Sequence, residues 1–470
     1  MRNSFIEEPL LQFGKGTHIC PRAGISAHGV FDIGSNLKKS AITLGLTGTS
    51  SSLITAKKWL DRCQAFISAK ASKQPNLFTS FCGFNEDIGF MCKWIVDDEL
   101  TRSINASEVK RVSDIASWND KISAAVELFV QEITNLAHNK NPDVIICVIP
   151  QLFEERLIKQ EEIVEEETLE EEDEVEIEFD FRRALKAKTM HLAVPLQLIK
   201  ESNLRSRRGS QDDATKAWNF CTAIYYKANG TPWRLMKAED KPASCYVGIS
   251  FYRSRDKQSV QTSLAQMFDE LGKGVILRGS TVETDKDDRR PHLSKDQAND
   301  LLARALAEYR KDMKNYPGRL VIHKTSKFSD DEMEGFKQVI QTNQISATDY
   351  VTIMDSHVRI LRDGLYPPYR GTHIELAEDR HLLYTRGSVQ YFETYPGQYI
   401  PQPIEVTIVE NDESPDLICE EILALTKMNW NNTQFDGKYP ITIGCARRVG
   451  QIMKYIDEKT DPQTRYSFYI

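Results

Sequence analysis

The chain has 470 residues, room for two to four domains, and is 40% hydrophobic and 27% charged, a globular proportion that excludes wholesale disorder, collagen and coiled coil. Its longest apolar runs, such as DVIICVIP at residues 143–150, fall far short of the roughly 18 to 20 residues that cross a bilayer. The formal net charge of −8 is misleading, because residues 161–180 (EEIVEEETLEEEDEVEIEFD) hold thirteen acids and no Lys or Arg, and the remainder is mildly basic at about +5.

Residues 1–16 place acids inside their apolar stretch and lack a small-residue cleavage site, so the expected location is the cytoplasm. Residues 10–34 mix Gly, Pro and short apolar groups and are expected to be extended and to join a sheet. From there a β-α alternation sets in. Residues 42–48 (ITLGLTG) read as a buried strand, and Leu53, Ala56, Leu60, Cys63 and Ile67 follow at helical spacing. Residues 76–82 (NLFTSFC) are a further strand candidate, residues 122–136 a helix, and residues 143–150 a β-branched buried strand. Strands alternating with helices imply a parallel, Rossmann-like sheet. The acid run reads as a solvated loop or charged face, with a nucleic-acid mimic as the sharper alternative, and helical patterning returns at residues 184–190 and 214–226.

Past a boundary near Lys241 and Pro242, residues 246–252, 259–268 and 274–278 read as a strand meander, and residues 294–313 as a long amphipathic helix. Residues 319–323 form a strand, and Ser329 with Glu332 three positions on is a capping box that opens a helix to about Gln341. Strands at residues 351–354, 382–385 and 404–409 and helices at 415–426 and 446–456 complete the chain. A three-strand meander, then helix, strand, helix and a late helical end is ribonuclease-H-like order.

Familiar chemical signatures are missing. GLTGTSS (residues 45–51) lacks the Gly-Lys-Ser/Thr ending of a phosphate loop, and there is no GxSxG elbow or HExxH helix. The nine cysteines are scattered without CxxC or zinc spacing and read as reduced, mostly buried thiols. His191, His323, His357, His373 and His381 show no paired spacing of a zinc site, and Trp218, Trp233 and Trp430 sit in packing contexts.

Three segments carry a resemblance: KPASCYVGISFYRS (241–254), PGRLVIHKTSKFSDDE (317–332) and KYPITIGCARRVGQIM (438–453) look like the PIWI domain of Argonaute proteins. FRRALKAKTMHLAVPLQLI (181–199) and TKAWNFCTAIYYKANGTPWRL (215–235) resemble the MID domain that grips a guide strand's 5′ end. LLQFG (10–14), PRAGISAHGVFD (21–32) and the Cys82-Gly83-Phe84 step suit the short prokaryotic Argonautes, built of MID and PIWI domains only. The implied fold is α/β: an extended segment over 1–40, a Rossmann-like MID domain over 41–241 with an acidic insertion at about 158–180, and a ribonuclease-H-like PIWI domain over 242–470.

The resemblance implies a 5′-phosphate pocket of Arg182, Lys186, Gln197 and Lys227, with Arg183 and Lys188 as substitutes if the register shifts. Arg182 and Lys186 stand at i and i+4, so one helix face presents both to one anion. RYSFYI (465–470) is aromatic and apolar to its end and is expected to be buried. By resemblance the carboxylate of Ile470 helps hold Mg²⁺ beside the guide phosphate. Positions that carry metal-binding acids in active PIWI domains hold Ser250, Lys324 and Arg447, so this chain is expected to recognise and not cleave, with Lys324 and Arg447 as contacts to nucleic-acid backbone. The family's inactive short members pair a guide RNA with target DNA. They act in defence through an APAZ-domain effector partner, for which a sirtuin-like NADase is favoured here over a TIR domain or a nuclease. The alternative is a divergent metal-dependent guided nuclease using acids such as Asp256, Glu283, Asp330 or Asp355.

Overall fold

Val144–Ile149 (VIICVI) is buried at all six positions, and its alternate side chains enter different cores. Val144, Ile146 and Val148 join one apolar cluster, while Ile145, Cys147 and Ile149 join another. A strand covered on both faces belongs inside a parallel sheet with helices on each side, because side chains alternate with period two. A computed structural model describes residues 1–36, 38–158, 180–205, 211–236, 242–254, 260–268, 274–282, 291–364, 366–397, 400–434, 436–456 and 462–470. Nearly all of the acid run, the Lys241 boundary, Asp256 and Glu283 lie outside those residues.

The first sheet is parallel throughout and runs Lys93–Ile95, Ala41–Thr49, Val144–Ile149, Leu196–Lys200, with Thr101–Ile104 also paired to Ala41–Thr49. Helices Ser50–Gln64, Trp118–Lys140, Phe181–Thr189 and Asp213–Lys227 accompany it. Each starts on a side-chain cap, Thr49, Ser117, Asp180 and Asp212 respectively, that accepts a bond from an otherwise orphaned amide. The expected Rossmann-like arrangement is present.

Among the described residues the second sheet has ten strands, one of them the short Thr281–Val282 paired to Val260–Phe268. Gly274–Ile276, Val260–Phe268 and Ser244–Arg253 form the antiparallel meander, and Ser244–Arg253, Arg319–Lys324 and Ala347–Asp355 are parallel neighbours. Ile404–Glu410, Arg380–Leu383, Thr372–Ala377 and the amino-terminal strand Arg2–Phe5 extend it. This is the ribonuclease-H-like order. Helices Lys295–Met313 and Asp330–Thr342 both open on full capping boxes, Ser294 with Gln297 and Ser329 with Glu332. Helix Ile441–Met453 lies on the sheet at Gly248, where a Cβ would stand 2.3 Å from the Thr442 carbonyl oxygen, so the close approach requires glycine.

Two expectations fail locally. Residues 10–34 are not wholly extended: Leu11–Gln12 and Thr17–His18 do join a small sheet with Arg234–Leu235, but Pro21–His28 is a helix. Pro21 occupies its first turn, where a missing amide costs nothing, and Gly29 ends it at φ +69°. Residues 76–82 form no strand. The carbonyls of Thr79 and Ser80 are satisfied by the Trp218 indole N–H, and Phe81 makes only an isolated bridge to Ile67.

The amino-terminal segment is anchored by charge. Glu8 accepts from Arg370 at 3.0 Å and from Lys427 at 2.7 Å, and both cations are fully buried. Burial opposes ionisation of Glu8, but Arg370 and Lys427 outweigh it and hold the carboxyl below its ordinary range. Its contribution to stability is therefore present above the unfolded carboxylate range and lost as pH falls through the folded one. Glu8→Ala strands two buried cations, and a loss of about 3–5 kcal/mol is expected, read as a lowered urea midpoint.

Candidate nucleic-acid interface

Five chain segments converge on one cationic cluster. Lys227 is the last residue of helix Asp213–Lys227, an end that favours positive charge, and it is 2% exposed. Its ammonium donates to Gln197 Oε1 at 2.6 Å, from the edge strand Leu196–Lys200 of the parallel sheet. Lys186, on helix Phe181–Thr189, donates to the backbone carbonyl of Tyr469 at 3.4 Å. That contact carries the end of the chain into the pocket wall.

The electrostatics report the same convergence. Burial, and then the charges of Arg182 and Arg448, lower Lys227 to about 7. Burial, then Lys227, Arg182 and Arg448, lower Lys186 well below the ordinary lysine range. Asp180 is the acid that acts on Lys186, and its effect is smaller than that of each of the three cations. A cation without an anion at such a site is costly, and a bound anion relieves the cost.

All four expected pocket residues, Arg182, Lys186, Gln197 and Lys227, are thus brought together. The substitutes face elsewhere, Arg183 to Gln451 at 3.3 Å and Lys188 into an ion pair with Glu127 on helix Trp118–Lys140. Sequence reading missed Arg448. It adjoins Arg447 in helix Ile441–Met453, and only the packing of that helix against Phe181–Thr189 selects one arginine over the other. Arg465 is exposed, but Tyr466 to Ile470 are buried as expected, with Ile470 at 4% exposure and a short turn at Tyr466–Phe468, and the Ile276 amide N–H donates to the Thr464 carbonyl at 2.6 Å. A Mg²⁺ ion beside Ile470 would enter a pocket already rich in positive charge, so its place depends on oxygens that arrive with a guide.

The ribonuclease-H-like centre is arranged differently from expectation. Lys324 is fully buried, and its ammonium donates to Glu332 at 2.6 Å and to the Lys327 carbonyl at 2.8 Å. It therefore serves as an internal ion pair that locks strand Arg319–Lys324 to helix Asp330–Thr342, and the expected nucleic-acid contact at Lys324 is corrected. Arg447 lies with its guanidinium 4.2 Å from the Tyr439 ring centre, partly buried. Ser250 is buried on the neighbouring strand. Of the acids weighed as alternative metal ligands, Asp330 is exposed on its helix, and Asp355 pairs with Lys438 at 2.8 Å and accepts from the Tyr439 hydroxyl. Burial opposes its ionisation, yet Lys438, Tyr439 and Arg447 hold the Asp355 carboxyl below its ordinary range. Trp218, Trp233 and Trp430 are buried packing groups, as expected.

No protein-family model matches the chain. It is 22% identical over 277 residues to the protein argonaute of Aquifex aeolicus (strain VF5), a match that covers 58% of this chain and 36% of that protein. Over those residues the sequence is similar to an argonaute. The fold agrees along the whole length. Clostridium butyricum Argonaute, solved with a guide DNA bearing a 5′ deoxycytidine and a 19-mer target DNA, superposes with a TM-score of 0.69 at 16% identity, over 100% of this chain and 55% of that one. Marinitoga piezophila Argonaute in complex with a 5′ OH guide RNA gives 0.59 at 15% identity, over 100% and 59%, and Drosophila Piwi gives 0.61 at 13%, over 99% and 56%. The chain spans about a third of the curated relative and somewhat over half of these Argonaute structures. No helix among the described residues is long and apolar enough to cross a membrane.

Because Lys227 is lowered on folding, the unfolded chain binds more protons between about pH 7 and its ordinary value of 10.5. Stability of the ligand-free protein should then rise with pH through that window, by at most about 1.4 kcal/mol per unit. Lys227→Met is expected to raise the thermal midpoint of the free protein at pH 7 and to abolish any stabilisation by added inorganic phosphate, both measurable by scanning calorimetry.

Proposed function

We propose that this chain holds the 5′-phosphorylated end of a guide strand in the Arg182, Lys186, Gln197, Lys227 pocket and presents the guide for pairing with a complementary target. The observation that carries this reading is the convergence of buried Lys227 and half-buried Lys186 with two arginines, where Asp180, the acid that acts on Lys186, is outweighed by the surrounding cations. A terminal phosphate brings close to two negative charges and several acceptor oxygens, which is the complement of such a pocket. Arg448 joins the set as a fourth cation. Gln197 supplies a neutral amide that already orients Lys227. Mg²⁺, drawn in with the guide phosphate, would take the carboxylate of Ile470 as its protein ligand and add neutralising charge.

Sequence specificity then belongs to the guide, while the protein holds backbone and helical shape. A guide RNA and a DNA target follow from the resemblance to short Argonautes, as do the prokaryotic defence role and an APAZ-domain effector partner, with a sirtuin-like NADase favoured over a TIR domain or nuclease. The reading excludes cleavage by this chain itself. Lys438, Tyr439 and Arg447 surround Asp355, so its charge is already compensated by protein groups in place of metal ions.

The relative with a 5′ OH guide RNA makes the guide's first phosphate the deciding group. Binding of 5′-phosphorylated RNA should exceed that of 5′-hydroxyl RNA by at least about tenfold, roughly 1.4 kcal/mol, and Lys186→Ala/Lys227→Ala should erase the difference. Above pH 7, where the phosphate is fully charged, the preference should fall as Lys227 loses its proton in the free protein, by up to about tenfold per unit. Equal affinity for the two RNAs at pH 7 would overturn the pocket assignment. Guide-matched target incubated with Mg²⁺ or Mn²⁺ should stay intact; cleavage that disappears in Asp355→Asn would establish the nuclease reading instead.

A further inference from the structure

At the opposite side of the ten-stranded sheet from Gly274–Ile276, the structure draws together two histidines and a cysteine that are far apart in sequence. His373 lies on strand Thr372–Ala377, His381 on Arg380–Leu383 and Cys419 on helix Pro415–Leu425. In the antiparallel register His381 faces Glu375, two residues from His373, so both imidazoles rise on one face of the hairpin. Helix Pro415–Leu425 covers that face with Cys419. The two ring nitrogens and the sulfur lie within 4.8 Å of one another, and all three residues are buried.

We propose that His373 Nε2, His381 Nδ1 and Cys419 Sγ form a zinc site that clasps the edge of this sheet. The two nitrogens are 3.1 Å apart. Tetrahedral zinc with Zn–N bonds near 2.0–2.1 Å sets its nitrogen ligands about 3.3 Å apart, so small side-chain adjustments suffice. Each imidazole has an acceptor on its outer nitrogen, the arrangement that fixes a metal-binding tautomer. His381 Nε2 faces the Glu378 carbonyl at 3.3 Å, an acceptor only, and so carries the hydrogen there. His373 Nδ1 faces Asp416 Oδ1 at 3.4 Å and the Ser4 hydroxyl at 3.0 Å. With its hydrogen directed at Asp416, its Nε2 lone pair meets the Nδ1 lone pair of His381, and a cation between them removes that repulsion.

The ligand set selects the metal. Two imidazoles and a thiolate suit zinc and not the hard, oxygen-seeking Mg²⁺ or Ca²⁺. Binding releases the thiol proton of Cys419 to solvent, and water fills the fourth position. The site would tie the hairpin to helix Pro415–Leu425 and, through Ser4, to strand Arg2–Phe5.

The test uses the full chain, stripped with a chelator, dialysed, and loaded with zinc or cobalt(II). One tightly held zinc per chain is expected by elemental analysis, with a thiolate-to-cobalt charge-transfer band in the near ultraviolet and a raised thermal midpoint in zinc. Cys419→Ser should lose the band, and His381→Asn should lose zinc, while circular dichroism shows each still folded. Absence of retained zinc in the wild-type chain overturns the proposal, as does a thiolate band that survives in Cys419→Ser. If either variant fails to fold, wild-type zinc retention together with its thiolate band decides the matter: both present supports the site, and either one missing overturns it.

Discussion

Burying a positive charge without a negative partner is the constraint around which this molecule is arranged. Two groups among its buried and half-buried cations differ in their partners. Lys324 has Glu332, Arg319 has Asp349 and Glu421, and Arg370 and Lys427 share Glu8, so in each case a carboxylate offsets the loss of water. Among the described residues Lys186 and Lys227 donate to neutral acceptors, the Tyr469 carbonyl and the Gln197 amide, and Asp180 offsets the neighbouring cations on Lys186 only in part. The first group is internal structure. The second is an unmet electrostatic demand, and it is the property expected of a pocket whose anion arrives from outside.

The two-sheet architecture makes that pocket possible. A parallel sheet delivers the carboxyl end of a helix and an edge strand to one place, so Lys227 and Gln197 meet without strain. Helix Ile441–Met453 is held on the second sheet by the close approach at Gly248 and packs on helix Phe181–Thr189, which brings Arg448 beside Arg182 and Lys186. The buried terminal segment then closes the wall through the Tyr469 carbonyl. Both sheets contribute, and one continuous apolar cluster includes residues from each, such as Ile146 and Val247. Displacement of one half from the other would therefore dismantle the pocket before it unfolded either sheet.

The paired group also accounts for how the ribonuclease-H-like centre differs from what sequence position implied. Lys324 stands at a strand end where chemistry is commonly placed, yet a buried ammonium beside a buried carboxylate has no surface to offer a nucleic acid. The capping-box glutamate that opens helix Asp330–Thr342 is the same residue that neutralises Lys324. One side chain thus starts the helix and ties it to the adjacent strand.

Local pattern was enough for most elements. The β-branched run at residues 143–150, the capping box of Ser329 with Glu332, and the i, i+4 pair Arg182 and Lys186 are short-range signals, and they are legible because neighbours along the chain settle them. The helix at Pro21–His28 and the missing strand at residues 76–82 were not legible, because the first is too short for periodicity and the second satisfies its carbonyls from distant Trp218. The same divide runs through the sites. Sequence alone identified Arg182, Lys186, Gln197 and Lys227 as a set, with the family resemblance supplying the link between distant segments. Tertiary structure alone chose Arg448 over Arg447, turned Lys324 inward, and brought His373, His381 and Cys419 together, because helix packing and strand register decide which side chains meet, and neither is written in local spacing.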